Sequence, residues 1–150
     1  MRIIVDANII FSALLNTDGK IGDILLNSYH VFEFVAPRFL KDEIRKYHSK
    51  ILLKSGYSSI ELQEIEDIVY KPIAFISEVH IPLSVWQSSE HLVRDIDPKD
   101  VAYVAFAKYF RCKLWSGDKA LRNGLFKKGF KNIINTDEIY KLKEIRLSRK

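Results

Sequence analysis

The chain has 150 residues, 47% of them apolar and 29% charged, which is long and apolar enough for one well-buried core and ordinary for a soluble globular protein. Its formal net charge of +5 permits an anionic partner such as nucleic acid without requiring one. A single cysteine, Cys112, excludes an internal disulfide framework and fits a reducing compartment. Asp6 cuts off the N-terminal apolar run before a signal-peptide core forms, and no run approaches the roughly 20 residues of a membrane span; a cytoplasmic protein without membrane contact is expected.

Residues 2–5 (R-I-I-V) are apolar and β-branched on both faces, the signature of an inner strand of a parallel sheet. Asp6 ends that strand, and residues 9–15 begin a helix. A second helix is predicted over 20–29 and a second strand over 31–36. Pro37 should open a long helix to about residue 54, with Phe39, Leu40, Ile44, Tyr47 and Ile51 facing inward and Glu43 beside that stripe. A turn at 55–59 leads to an amphipathic helix over 60–70, capped by Ser58 or Ser59. Residues 73–79 predict a third strand and 84–93 a helix.

Three aspartates then fall within six residues, Asp95, Asp97 and Asp100, ahead of an alanine-rich apolar run. Asp97 before Pro98 reads as an N-cap, with Asp100 in the first turn of a deeply packed helix that ends near Phe110. Residues 112–115 predict a fourth strand that takes in Cys112 as a small buried residue, followed by Ser116-Gly117-Asp118 and a helix over 119–127. Ile133-Ile134 suits an edge strand. Asp137 should cap a last helix with a basic tail of Lys141, Lys143, Arg146, Arg149 and Lys150. Strands alternating with helices imply α/β architecture: three layers, α/β/α, around a parallel sheet of four to five strands. No linker composition divides residues 1–150, so one domain is expected.

On this sketch Asp6 ends the first strand, Asp118 ends the fourth, and Asp100 opens the helix leading into the fourth. In a doubly wound sheet these points meet at the carboxyl edge, where such sheets bind ligands. Glu43 joins them if the second strand neighbours the first. Carboxylates gathered without matching cations repel, and a hard divalent cation is the usual remedy. Mg²⁺ or Mn²⁺ there would activate a water and stabilise a pentavalent phosphorus, which points to phosphodiester hydrolysis. Lys119 beside Asp118 could touch a phosphate, and Arg122, Lys127, Lys128 and Lys131 could line a nucleic-acid path. The histidines show no zinc-ligand spacing.

The segments I-I-V-D-A-N-I-I, F-L-K-D-E-I, D-I-D-P-K-D-V-A-Y-V-A-F-A and L-W-S-G-D-K-A-L, in that order over residues 3–121, resemble the PIN-domain ribonucleases, which include the toxins of bacterial type II toxin–antitoxin pairs. The resemblance implies a PIN-like fold and a Mg²⁺- or Mn²⁺-dependent endoribonuclease leaving 5′-phosphate and 3′-hydroxyl ends. It implies that Asp6, Glu43, Asp100 and Asp118 form the acidic quartet, with Asp6, Asp100 and Asp118 as metal ligands. Asn8 and Ser116 match supporting polar positions, and Asp97 matches one that is often acidic. It further implies RNA as substrate, a cognate antitoxin as partner, and a homodimer, for which apolar residues on the 58–93 helices are the candidate surface.

Two other functions deserve comparison. An aspartyl-phosphate phosphatase with Asp6 as nucleophile needs a second acid two residues on, and Asn8 stands there instead. A non-catalytic nucleic-acid or partner-binding module would need no complete acidic set.

Overall fold

The computed structural model describes residues 1–149, so Lys150 of the basic tail lies outside the described residues. Five strands form one parallel sheet: β1 (Arg2–Val5), β2 (Glu33–Pro37), β3 (Ile73–Ile76), β4 (Lys113–Trp115) and β5 (Ile133–Ile134), in the order β3-β2-β1-β4-β5. Ile3, Ile4 and Val5 are fully buried because β1 has a neighbour on each edge and helices over each face. Ile4 stands opposite Val35 on one side and Leu114 on the other. From β1 the chain steps outward through β2 to β3, then returns across the sheet to β4 and β5. The strand order therefore reverses between β1 and β4.

That reversal also sorts the helices, since crossovers in parallel sheets keep one hand. Helices α1 (Ala7–Leu15), α2 (Lys20–Asn27), α3 (Phe39–Lys46), α4 (His48–Ser55) and α5 (Ser59–Tyr70) belong to the outward steps, and α1 packs against the other four. The return carries α6 (Leu83–Val93) and α7 (Val101–Phe110), and α7 lies across β1, β2 and β4. Its residues Ala102 through Ala107 are all buried, the small ones allowing close approach to the sheet. Helix α8 (Lys119–Lys127) packs on α6, and α9 (Thr136–Ser148) reaches α2. The architecture is a three-layer α/β/α fold around a parallel sheet.

Local chemistry sets several boundaries. Asp6 caps α1, and Ser58 with Glu61 forms a capping box on α5. Helix α7 ends on Arg111 in the left-handed region, φ 53°, a position where glycine is the usual residue. Gly124 of α8 lies so close to Ile96 that a Cβ would fall 2.5 Å from its Cδ1, which lets α8 sit tight against the Asp95–Asp97 loop.

Other boundaries differ from expectation. The long helix predicted from Pro37 is divided: Pro37 ends β2, and α3 and α4 are separated at Tyr47. The start of α3 is held from a distance, its Phe39 N–H donating to Glu78 Oε1 at 2.8 Å. Its end closes tightly, the Tyr47 N–H donating to the Ile44 carbonyl at 2.9 Å. Tyr47 consequently turns outward, not inward. The third strand stops at Ile76, and a 3₁₀ turn at Glu78–His80 follows. Asn135, not Asp137, caps α9, through a capping box with Glu138; Asp137 pairs with Lys20. Cys112 precedes β4 and is half-buried. Lys143 of the predicted basic tail is buried and pairs with Asp23 at 3.6 Å, tying α9 to α2.

Candidate active site

The reversal between β1 and β4 opens a cleft of about 250 Å³ at the carboxyl edge of the sheet, lined by Asp6, Asn8, Glu43, Asp97 and Asp100 among others. Each acid arrives on a different element. Asp6 follows β1 at once and is only 3% exposed. Its Oδ1 accepts from the Ile9 N–H at 3.0 Å, which fixes the side chain at the mouth of α1 and leaves the second oxygen free of that role. Asn8, on the first turn of α1, is exposed at the cleft.

Asp97 and Asp100 divide the labour expected of a single cap. Asp97 caps a 3₁₀ turn, Pro98–Asp100, by accepting from the Lys99 N–H at 3.0 Å. Asp100 occupies the N-cap position of α7 but makes no capping bond, so its carboxylate is not spent on the helix. Of the neighbouring acids on α3, Asp42 faces solvent and pairs with Arg45 at 3.1 Å, whereas Glu43 lines the cleft. Glu43 Oε1 accepts from the Tyr103 hydroxyl at 2.7 Å, and Tyr103 itself is 2% exposed and packs at a tilt against Phe39. Tyr103 thus holds Glu43 from the buried side of α7. Nothing in the sequence singles out Tyr103 except its hydroxyl within an otherwise apolar run.

Asp118 stands at the rim. It caps α8 by accepting from the Leu121 N–H at 3.0 Å and lines an adjoining depression with Ser116, Lys119, Arg122 and Asn135. Its charge still reaches both Asp6 and Asp100. Ser116 links the two sides: its Oγ accepts from the Asp118 N–H at 3.1 Å while its hydroxyl favours the ionised form of Asp6. Lys119 is exposed beside Asp118. Arg122 is ion-paired with Glu138 and lies over the Phe126 ring. Lys128 is engaged by Asp95 and by the Leu92 carbonyl, where it fastens α8 to the end of α6. Trp115 is wholly buried and donates to Thr136 Oγ1 at 3.1 Å.

The electrostatics of the cleft are those of crowded, dehydrated acids. Burial raises the Asp6 carboxyl to about 6, with Ser116 and the backbone opposing and Asp118 adding to the rise. Asp100 is raised to about 7, by burial first and then by the charges of Asp97, Asp6, Asp118 and Glu43. Burial also raises Glu43, against the lowering influence of Tyr103, Lys46 and Lys99. None of Asp6, Glu43, Asp97, Asp100 and Asp118 takes part in an ion pair among the described residues.

The donor set fits a hard divalent cation. It consists of carboxylate oxygens with no thiol or imidazole among them, and its strained charges would be relieved by a positive ion. Among the described residues no group of three acids, histidines or cysteines stands close enough together to hold a metal ion, so the acids of the cleft would have to draw in around one. An open carboxylate site of this kind suits an ion that retains several waters, as Mg²⁺ does, better than a tightly caged structural metal.

Comparison with known families agrees with the fold. Residues 4–142 match the model of the PIN domain, a span that contains every acid of the cleft. No curated protein matches the sequence. With nearly the whole chain matched and a parallel α/β/α fold, the protein belongs to the PIN-domain family, whose members are in general nucleases.

Proposed function

We propose that this PIN-domain protein is a metal-dependent endoribonuclease, that residues 1–150 form its single nuclease domain, and that Asp6, Glu43, Asp100 and Asp118 carry the reaction. The observation that supports this most is the group of unpaired acids at the β1/β4 reversal, where Asp100 alone feels the charge of four other carboxylates. A bound Mg²⁺ or Mn²⁺ would supply positive charge at the scissile phosphate and lower the pKa of an attacking water. The chain's own residues do the rest. Asp6, Asp100 and Asp118 would hold the ion from rigid positions at a strand end and at two helix starts. Tyr103 keeps Glu43 aimed into the cleft, where that carboxylate can orient water or accept its proton. Ser116 would support the acids together with Asn8, which lines the cleft, Asp97 fixes the turn that presents Asp100, and Lys119 and Arg122 beside Asp118 would meet RNA phosphates.

The assay is incubation of the purified protein with mixed single-stranded RNAs and Mg²⁺ or Mn²⁺. Products with 5′-phosphate ends, absent with Asp6→Asn or Asp100→Asn, are expected. Cleavage that persists in those variants assigns the activity elsewhere. We extend the reading to a toxin of a type II pair and a cognate antitoxin as partner, which an adjacent small reading frame and co-purification of its product would test. Exposed Ile60, Ile68, Val79 and Leu83 suit a homodimer contact, measurable by light scattering.

A further inference from the structure

The cleft has a second wall whose chemistry differs from that of the acids. Phe11 of α1 and Tyr47 at the α3–α4 break both line it, edge to face, with ring centroids 6.2 Å apart. Phe11 is rooted against the core, while Tyr47 is 42% exposed. Had α3 and α4 formed one continuous helix, Tyr47 would point inward; the break carries its ring to the mouth of the cleft. Lys50 lines the same wall with Nζ 5.6 Å from the Phe11 centroid, and Lys99 lines the cleft beside the acids. Neither lysine is in an ion pair among the described residues.

An exposed aromatic ring flanked by unpaired lysines is the combination that binds unstacked nucleic acid, the ring taking a base and the cations its phosphates. The acids cannot make those phosphate contacts, which leaves them to Lys50 on the aromatic wall and Lys99 at the edge of the acids. We propose that Tyr47, propped by Phe11, is a nucleobase subsite that seats one unpaired base of a single-stranded RNA, with Lys50 and Lys99 on the adjoining phosphates. The proposal rests on the ribonuclease reading above and narrows its substrate to single-stranded RNA. A cleft of about 250 Å³ takes a splayed base and its phosphate; a duplex keeps its bases stacked and offers the ring no face.

The test is fluorescence anisotropy of a labelled single-stranded RNA 12-mer of mixed sequence against the full chain carrying Asp100→Asn, which stops cleavage. Adding Tyr47→Ala should weaken binding about tenfold, and Lys50→Ala several-fold, as expected for loss of one stacked base and one phosphate contact. Tyr47→Phe should bind within about twofold of the parent, because the ring and not the hydroxyl makes the contact. Duplex RNA of the same sequence should bind at least several-fold more weakly. Equal binding by Tyr47→Ala and its parent, or equal affinity for duplex and single strand, overturns the subsite and leaves the wall to a protein segment. The two readings fail separately. Ring-dependent binding without cleavage by the unmutated chain sinks the nuclease assignment alone, while metal-dependent cleavage with ring-indifferent binding sinks the subsite alone.

Discussion

Several acids away from the cleft are each paired with a cation. Glu33 pairs with Arg2, Glu90 with Arg94, Asp95 with Lys128, Asp137 with Lys20 and Glu138 with Arg122. Acids at the β1/β4 reversal have no ion-pair partner among the described residues; Lys46 and Lys99 act on Glu43 only from a distance, and Asp6 and Asp100 feel chiefly burial and one another. The two regions titrate in opposite senses as a result. Partner cations lower Glu90, Asp95, Asp137 and Glu138, the last to about 2, while burial first and then neighbouring carboxylates raise Asp6, Glu43 and Asp100. One group of charges serves the fold; the other opposes it until something positive arrives.

The largest effect should come from removing a cleft acid and measuring cleavage. Asp100→Asn is expected to lower metal-dependent cleavage by on the order of 10²–10³-fold or more, comparable to loss of a principal electrostatic group in other active sites. Asp95→Asn, on the paired surface two residues beyond the end of α6 at Val93, should leave it within about twofold, since exposed pairs contribute little. Equal losses in both variants would erase the distinction between the regions.

A second prediction concerns stability without metal. Asp6 is fully buried and raised to about 6, so its native pKa exceeds the unfolded value and its favourable contribution disappears as pH rises through that range. Asp6→Asn should therefore stabilise the metal-free protein at pH 8 by on the order of 2–3 kcal/mol, the asparagine oxygen still capping α1. Chemical denaturation in chelator measures it. A destabilised variant would show that the carboxylate is fully compensated within the fold.

The same sign argument gives a pH profile. For the raised pair Asp6 and Asp100, stability is present below about pH 4 and is lost as pH climbs through about 6 to 7. For Glu138 the order reverses: stability is present above its ordinary value and lost as pH falls towards about 2. The Tm in chelator should fall between pH 5 and pH 8, and Mg²⁺ should restore it most at pH 8. In Asp100→Asn the alkaline fall should shrink, whereas Glu138→Gln should lower the Tm about equally from pH 5 to pH 8, leave the alkaline slope unchanged and remove part of the acid fall. A flat alkaline limb in the parent protein would mean the cleft charges are not in conflict.

A smaller effect sharpens the internal structure of the cleft. Tyr103→Phe removes the hydroxyl that holds Glu43 and should cost about 1.5–3 kcal/mol of stability, the usual worth of a hydrogen bond to a charged group. Cleavage should fall about tenfold if aim matters to Glu43, against a negligible change for Tyr109→Phe, whose ring is 42% exposed on the same helix.

Much of this was readable from the chain because the signals were local. The uninterrupted apolar run of β1 declared an inner parallel strand, and the acids after β1 and β4 followed from that placement. The alternation of strands and helices was enough for the three layers. What escaped depends on partners distant in sequence. The start of α3 is held by Glu78, 39 residues away, and no glycine or proline marks the break at Tyr47. Tyr103 meets Glu43 across 60 residues, so its hydroxyl had no visible partner. The lysines of the cleft wall were hidden for the same reason: Lys50 reaches the site only because α4 turns away from α3.

The central claim is that the unpaired acids at the β1/β4 reversal bind a divalent cation, and calorimetric titration of the metal-free protein with Mn²⁺ tests it most directly. Saturable binding is predicted at pH 7.5, weakened as pH drops below about 6 because Asp6 and Asp100 take up protons, and abolished in Asp100→Asn. No saturable binding, or binding that Asp100→Asn leaves unchanged, would contradict it.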